Sequence, residues 1–385
     1  MTILSRDHFI QQAQDATGLT DFGNDWFFAN IDALIPSMNS QAQLSDAGTY
    51  GAGMMIQGAL ERRLRHIDLL NHHPEILDEV VNVRCVLSGL PRTGSTMLHR
   101  MLASTDELTA VRWFEAQNYV PLAGETRGDA APRQDAAKGI LDYMLQVIPE
   151  LMSIHPMSID QPDEEVIILG QLFSSSMIES TYFVPDYADW LSEQDPRPAY
   201  EDLITILKSL QWQDQNRRGK EWVLITPGHL MSMNTVLEVF PKAKIVMTHR
   251  DPVATAPSYC SMMASLYKMG SDTITNEQIG QFWPGRLKNW LDRFMTARTD
   301  ATSDRFIDVN YKDQLSDPIT EASRVLEASG LSMTEALRSG MSDWIDANKR
   351  EHRAPHKYAL EDFGLTAAGV EDLYSGYREK YLGAK

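Results

Sequence analysis

The chain has 385 residues, with 35 lysines and arginines against 53 aspartates and glutamates, and therefore a formal net charge of -18. An acidic surface of this kind argues against DNA, RNA or an anionic membrane as a partner. Hydrophobic residues make up 43% of the sequence, which is ample for the core of one large α/β domain with a helical addition, or of two domains.

The cysteines and the apolar runs indicate the cellular compartment of the protein. Cys85 and Cys260 are the only cysteines, and both fall in segments that read as regular secondary structure, so they do not make a disulfide framework. The first residues carry charge and no long apolar run, and no stretch reaches the ~20 consecutive apolar residues that span a bilayer. We therefore expect a cytoplasmic protein without a membrane span.

Residues 1–80 are predicted to form a helical N-terminal extension that packs on the core. Apolar residues recur at helical spacing in three segments, residues 9–16, 26–34 and 51–70. His72 and His73 follow, with no cysteine or second histidine pair at zinc-finger spacing nearby. A solvated turn is therefore favoured over a metal site.

Residues 84–102 predict a buried strand, a tight turn and a helix. The apolar residues 85–87 lead into Gly89, and four residues separate Gly89 from Gly94. This is the glycine spacing of a loop whose backbone N–H groups and helix N-terminus bind a phosphate. We expect a nucleotide phosphate at this turn, although Gly, Pro and Ser also occur in ordinary strand-to-helix turns.

This loop differs from that of nucleoside triphosphatases. Those proteins place Lys after the second glycine, and here Ser95 stands in that position. The cation is instead Arg92, inside the loop, where it can reach the atom that bridges a leaving phosphate and the transferred group. The pattern favours a donor with a phosphate leaving group whose transfer needs no metal.

Two later strands carry polar residues at their carboxyl ends, where ligands collect in a parallel sheet. Residues 109–115 are predicted to be a short strand that ends in Glu115. Residues 221–225 form another, and His229 follows it; histidine readily serves as a base near neutral pH. A salt-bridged glutamate and a structural histidine are the alternatives.

Residues 133–218 are predicted to form a helical insertion. Pro162 precedes the acidic triplet 163–165, which is typical of a helix start. An aromatic cluster follows, made of Phe173, Tyr182, Phe183, Tyr187 and Trp190. Aromatic side chains line many ligand clefts, so we place a small-molecule pocket here, although most of these rings are expected in the core.

A second phosphate motif is predicted at residues 242–259. A strand at residues 245–247 runs into the segment 249–252, which contains Arg250 and ends with a proline at a helix start. Ser258 lies about two turns along that helix. An arginine at a strand end and a hydroxyl on the next helix can bind one phosphate from two directions.

The remaining chain supplies further elements and a basic loop. A helix at residues 275–298 and a strand at residues 305–309 precede helices at residues 318–326 and 333–349. Residues 349–358 then concentrate Lys, Arg and His in an otherwise acidic chain. A run of charge is normally a solvated face.

Two of these motifs resemble those of a known family. The segment 89–96, Gly-Leu-Pro-Arg-Thr-Gly-Ser-Thr, resembles the loop with which sulfotransferases hold the 5′-phosphosulfate of 3′-phosphoadenosine 5′-phosphosulfate (PAPS). The segment 249–252 with Ser258 resembles their 3′-phosphate motif, and the linking segment 222–241 is similar to the bacterial branch of the family. The resemblance covers roughly residues 84–365.

The resemblance implies a fold. It is an α/β domain at residues 81–385 with a P-loop-like, mainly parallel sheet flanked by helices. The helical insertion at about residues 133–218 lies within it, and a loop at about residues 349–364 would cover the nucleotide. The N-terminal extension stays outside the resemblance.

The resemblance also implies site residues. Those that would bind PAPS are Pro91, Arg92, Thr93, Gly94, Ser95, Thr96, Arg250, Ser258, Arg353, His356 and Lys357, with no metal. Arg92 would also be catalytic, and Glu115 or His229 would take the acceptor proton. The family usually has Lys where this chain has Ile225, so Arg92 would neutralise more of the charge. Similar proteins carry a Pro-x-Glu-Glu-like motif at 162–165, which adds Glu164 and Glu165 as substrate-site candidates.

The implied enzyme is a sulfotransferase that moves a sulfuryl group from PAPS to a hydroxyl or amine of a small molecule and leaves adenosine 3′,5′-bisphosphate. The aromatic insertion favours a hydrophobic or phenolic acceptor, while the acceptor's identity and the oligomeric state are open. One alternative is a metal-dependent nucleotide kinase or triphosphatase, which Ser95 opposes. The other is a nucleotide-binding relative without catalysis, which is consistent with Ile225 in place of the usual Lys.

Overall fold

A computed structural model describes residues 3–348 and 358–383. In this part of the chain five parallel strands form one sheet in the order β2-β3-β1-β4-β5. The strands are β1 (Val83–Gly89), β2 (Leu108–Thr109), β3 (Glu221–Ile225), β4 (Lys244–His249) and β5 (Phe306–Asn310). The predicted α/β class with a parallel sheet is confirmed.

Helices precede, interrupt and follow the sheet. The N-terminal helices are α1 (Arg6–Thr17), α2 (Phe27–Gln41) and α3 (Asp46–His72). Between β1 and β3 lie α4 (Ser95–Ala103), α5 (Trp113–Gln117), α6 (Ala131–Val147), α7 (Leu151–Ile154), α8 (Val166–Gln171), α9 (Ser176–Thr181), α10 (Pro185–Ser192) and α11 (Arg197–Gln213). After β3 come α12 (Met233–Val239), α13 (Pro252–Tyr267), α14 (Asn276–Ala297), α15 (Tyr311–Ser316), α16 (Pro318–Ala328), α17 (Glu335–Ala347), α18 (Ala367–Leu373) and α19 (Ser375–Leu382).

Both faces of the sheet are buried, which explains why its strands read as continuous apolar runs. Side chains alternate between the faces along each strand. Val86 and Ile245 face a core built with α11 to α14, whereas Leu87 and Val246 face a core built with α4, α16 and α17. The carboxyl ends of the central strands are therefore the open edge at which side chains can meet a ligand.

The N-terminal helices pack on the insertion. Their apolar residues share one core with Phe173, Tyr182 and Tyr187 of the insertion. Asn30 donates to the carbonyl oxygen of Phe173 (2.7 Å), and the buried Arg63 pairs with Asp202 of α11 (2.7 Å).

The predicted strand at residues 109–115 is wrong. Only Leu108–Thr109 pairs with β3, and Trp113–Gln117 is a helix. Glu115 is the third residue of that helix, and its carboxylate accepts the backbone N–H of Arg112 (2.9 Å). This capping box uses the glutamate to begin α5, so it does not end a strand.

No helix within residues 3–348 or 358–383 is long and apolar enough to cross a membrane. Over the same residues, no group of three or more His, Cys, Asp or Glu side chains is placed to hold a metal ion.

Candidate active site

A glycine-rich turn joins β1 to α4 and exposes the N-terminus of that helix. Gly89 has φ 144°, and a Cβ atom there would overlap the carbonyl oxygen of Thr248 on β4. Gly94 has φ 87° and directly precedes α4. Both positions therefore need glycine. The first N–H groups of a helix have no acceptor within it, so this turn presents them to an anion.

Thr93 fixes the shape of the turn from within. Its side chain is fully buried, and its hydroxyl is hydrogen-bonded to the carbonyl oxygen of Leu90 (2.7 Å) and to the hydroxyl of Thr248 (2.6 Å). An anion at the turn would therefore meet the backbone of Thr93 and not its side chain.

Arg92 lies in the left-handed region of backbone conformations, with φ 70°. This conformation is unfavourable for a residue that has a side chain, and it is commonest at functional sites. Its Nε donates to the hydroxyl of Ser258 on α13 (3.2 Å), and its Nη1 donates to the carbonyl oxygen of Ile154 at the end of α7 (2.7 Å). The guanidinium therefore lies between α13 and the insertion.

The residues of the second motif contact the same turn. Arg250 follows β4, and its Nη1 donates to the carbonyl oxygen of Arg92 (2.8 Å). Its guanidinium stands 4.1 Å from the ring centre of Tyr311. Ser258 is buried and meets the side chain of Arg92. The fold thus brings two motifs, far apart in the sequence, into direct contact.

The residues on either side of Arg250 have partners in other parts of the fold. His249 is buried and its ring nitrogens lie 2.8 Å from the hydroxyl of Tyr377 and 2.8 Å from Oδ1 of Asp308. Asp251 accepts the N–H of Val253 and so caps α13. Three further predicted donor-binding residues, Arg353, His356 and Lys357, lie outside the described residues.

Glu115, expected as a base, belongs to a buried ion-pair cluster. Its carboxylate accepts from Arg112 and from Arg217, both at 2.7 Å. Burial alone would raise the pKa of Glu115, but the charges of Arg217 and Arg112 outweigh it and lower the pKa to about 2. So acidic a carboxylate accepts protons poorly, and its ion pairs link α5 to the turn before β3.

His229, the other expected base, is fully buried with both ring nitrogens engaged. Nε2 lies 2.6 Å from Oε1 of Glu165, and Nδ1 lies 2.7 Å from the hydroxyl of Tyr200. The second oxygen of Glu165 accepts the backbone N–H of Ile225 (3.0 Å). With Nε2–H donating to the carboxylate and Nδ1 accepting from the tyrosine, both ring nitrogens are satisfied. This geometry suits a residue that holds the insertion against β3.

Comparison with known proteins settles the family. A profile described as the sulfotransferase family matches residues 86–335, more than half of the chain, including the glycine-rich turn, Arg250 and Ser258. The chain belongs to the sulfotransferase family.

Two mycobacterial relatives match part of this chain. The omega-hydroxy-beta-dihydromenaquinone-9 sulfotransferases Stf3 of Mycobacterium bovis and Mycobacterium tuberculosis are each 24% identical to it over 271 residues. The match takes in 66% of this chain, which in turn spans 66% of the length of these curated relatives.

Two crystal structures are similar along almost the whole chain. Sulfotransferase STF1 from Mycobacterium tuberculosis H37Rv has a TM-score of 0.82 and 27% identity, covering 97% of this chain and 99% of that one. Sulfotransferase STF9 from Mycobacterium avium shares the fold, with a TM-score of 0.86 and 23% identity, covering 99% of this chain and 97% of that one. These coverages take in most of the N-terminal extension, which lies outside the family profile.

The three carboxylates at 163–165 have different surroundings. Asp163 pairs with Arg100 of α4 (3.1 Å), and Glu165 is bound to His229. Glu164 is half-buried, and among the described residues its carboxylate has no hydrogen bond or ion pair. Burial, and then the charges of Asp163 and Glu165, raise the pKa of Glu164 well above its usual range, against the opposing charge of Arg100.

The neighbours of Glu164 place it between α4 and the carboxyl end of β3. Asp163 is held by the helix that begins at the turn, and Glu165 is held by Ile225, which pairs with Leu87 of β1. The charge of Glu164 also contributes, after burial, to raising the pKa of Tyr259, the residue that follows Ser258. The sequence motif located this carboxylate but could not show which of the three lacks a partner within residues 3–348 and 358–383.

Proposed function

We propose that this chain transfers the sulfuryl group of PAPS to a hydroxyl group of an apolar small molecule. The convergence of Arg92, Arg250 and Ser258 on one glycine-rich turn carries this proposal. Two phosphate-binding groups in contact fit a nucleoside with separate 5′- and 3′-phosphates. A triphosphate would call for a lysine where Ser95 stands.

The residues present fit this donor. The N-terminus of α4 and Arg92 suit its 5′-phosphate, and Arg250 with Ser258 suit its 3′-phosphate. When bound, PAPS supplies the sulfuryl group, with adenosine 3′,5′-bisphosphate as the leaving group. Arg92 stabilises the charge that develops on the 5′-phosphate, and since Ile225 offers no cation, this charge falls largely to Arg92. Arg353, His356 and Lys357 remain proposed donor contacts from the sequence alone.

Glu164 is the residue that we propose to take the acceptor proton. A base must be close to the transferred group and must not be occupied by another partner. Glu164 lies between Asp163, which pairs with α4, and Glu165, which is bound at the carboxyl end of β3. Its carboxylate has no hydrogen bond among the described residues, unlike the carboxylate of Glu115 and the ring of His229. Its raised pKa makes its carboxylate a stronger proton acceptor than an ordinary glutamate.

The insertion is the proposed acceptor site. It contacts α13: Glu150, the residue before α7, accepts from Ser265 (3.3 Å), and Ser180 of α9 is hydrogen-bonded to Tyr259 (3.0 Å). On α6, Ile140 and Tyr143 are 40% and 52% exposed. An apolar acceptor agrees with this surface, and the relatives named above act on a menaquinone derivative. We propose an apolar alcohol or phenol.

Isothermal titration with adenosine 3′,5′-bisphosphate tests the donor site. The unchanged protein is expected to bind it, and Arg250→Ala is expected to weaken binding at least ~10-fold, because a charge-assisted contact to phosphate is lost. Arg197→Ala, which removes a half-exposed arginine paired with Glu238 at the start of α11, is the matched control and should bind normally. Equal binding by Arg250→Ala, or tighter binding of ATP with magnesium, would contradict the proposal.

A further inference from the structure

His155 is a titratable group beside the donor turn that no role described so far uses. It directly follows Ile154, whose carbonyl oxygen accepts from Arg92 (2.7 Å). The segment that begins at His155 is also fastened to α4: Arg100 donates to the carbonyl oxygens of Pro156 (3.0 Å) and Pro162 (2.9 Å).

The glycine-rich turn and helix α4 together therefore hold both ends of the loop 155–163. Arg92 in the turn binds the residue before the loop, and Arg100 of the helix that follows the turn binds the loop itself. Glu164 comes directly after this loop. His155 and Glu164 are thus positioned relative to the turn by short hydrogen bonds and an ion pair, as groups that touch a reacting molecule must be.

The imidazole of His155 is available to a ligand. Its side chain is 27% exposed, and its Nε2 lies 4.0 Å from Oδ1 of Asp163, beyond hydrogen-bond distance. Among the described residues the ring has no hydrogen bond. Burial lowers the pKa of His155, Asp163 raises it, and Arg100 and Arg92 lower it further, with a net lowering. The lowered pKa favours the neutral ring, which carries one N–H donor.

We propose that His155 is a further catalytic residue, which donates a hydrogen bond to an oxygen of the sulfuryl group during its transfer. This rests on the proposed function. Arg92 acts on the leaving phosphate and Glu164 on the acceptor, which leaves the sulfuryl oxygens without a donor from either. His155 follows the residue that binds Arg92, and its ring lies near Asp163, the residue before Glu164, so its N–H can supply that hydrogen bond.

The proton and electron balance does not involve ionisation of His155. The acceptor oxygen forms a bond to sulfur, while the bond between sulfur and the oxygen of the 5′-phosphate breaks and that oxygen keeps the electron pair. The acceptor proton passes to Glu164. His155 keeps its proton throughout and only donates a hydrogen bond.

Two substitutions of His155 distinguish hydrogen-bond donation from other roles of its side chain. His155→Gln keeps an N–H donor, whereas His155→Phe keeps a ring of similar size without one. With labelled PAPS and the best acceptor from a panel of apolar alcohols and phenols, His155→Phe should lower kcat about 10- to 100-fold. His155→Gln should stay within about fivefold of the unchanged protein, and the affinity for adenosine 3′,5′-bisphosphate should stay the same in both.

Full kcat in His155→Phe, or equal losses in the two variants, would overturn the role of His155 as a donor. If His155→Phe does not fold, His155→Ala with added imidazole replaces it: a rise in kcat supports the proposal, and an unchanged kcat counts against it. Absence of transfer by the unchanged protein with every acceptor would instead refute the proposed function. The two failures are therefore distinguishable.

Discussion

Arg92 combines a strained backbone with a side chain that the proposed site needs. Its φ of 70° costs stability that glycine would recover, yet glycine has no guanidinium. The residue is therefore a place where stability and function oppose each other.

We expect Arg92→Gly to be more stable than Arg92→Ala by about 1 kcal/mol, because both lose the side chain but only glycine tolerates the conformation. Both variants should lose most of their affinity for adenosine 3′,5′-bisphosphate. Urea unfolding and titration calorimetry measure the two effects. Equal stability of the pair would show that the backbone is not strained, and retained affinity would show that Arg92 does not bind the donor.

Glu164 should give the pH dependence of transfer. Because a base must be unprotonated and the pKa of Glu164 is raised, kcat is expected to rise with pH through a range well above that of an ordinary glutamate. Glu164→Gln should lower kcat by about 10²- to 10⁴-fold and remove this rise. Glu201→Gln, an exposed change on α11, is the control and should keep the full profile.

The free energy of unfolding should fall as the pH rises, whereas kcat is expected to increase. The folded-state pKa of Glu164 lies above its unfolded value, so its protonated form favours the folded state below the unfolded pKa, and this benefit is lost as pH rises through the folded pKa. Glu164→Gln should therefore be more stable than the unchanged protein at pH 8 and equally stable at pH 4. Lower stability at pH 8 would show that Glu164 has a partner that the variant lost.

The sequence could locate the acidic triplet but could not assign its members. Which carboxylate is open depends on Arg100 and on His229, whose positions are set by the fold. The same holds for Glu115, whose partner Arg217 is distant in the sequence. The contact of Arg92 with Arg250 and Ser258 could be expected, because each belongs to a local motif with fixed spacing.

Among the secondary-structure elements, those with a strong local pattern were predicted well. The strand, turn and helix around Gly89 and Gly94 follow from an apolar run, two glycines and a helical period. Residues 109–115 were wrongly predicted to be a strand, because an apolar stretch with Trp and Phe is typical of strands. The deciding feature was the capping glutamate at 115, three residues after Arg112.

Helix α3 approaches the end of α13 so closely that only glycine fits. A Cβ atom at Gly48 would overlap the carbonyl oxygen of Gly270. Gly48→Ala should therefore destabilise the protein by about 1–3 kcal/mol. Gly139→Ala on α6, where a Cβ atom meets nothing within 4 Å, should instead stabilise it by about 0.5–1 kcal/mol. Urea unfolding measures both, and a neutral Gly48→Ala would mean that α3 is loosely attached.

For the molecule as a whole, the N-terminal helices could be predicted as helices but their place could not. They are fixed by contacts with the insertion, such as Arg63 with Asp202 and Asn30 with Phe173, between segments more than 130 residues apart. We propose that the extension supports the acceptor side of the site through this shared core. The net charge of -18 makes the cations at the turn a local exception, as an anionic donor requires.

A crystal structure of the protein with adenosine 3′,5′-bisphosphate tests the donor site most directly. We predict the 5′-phosphate at the N-terminus of α4 against Arg92, and the 3′-phosphate against Arg250 and Ser258. A nucleotide bound elsewhere, or one whose 3′-phosphate points away from Arg250, would contradict the assignment of this turn as the place where PAPS binds.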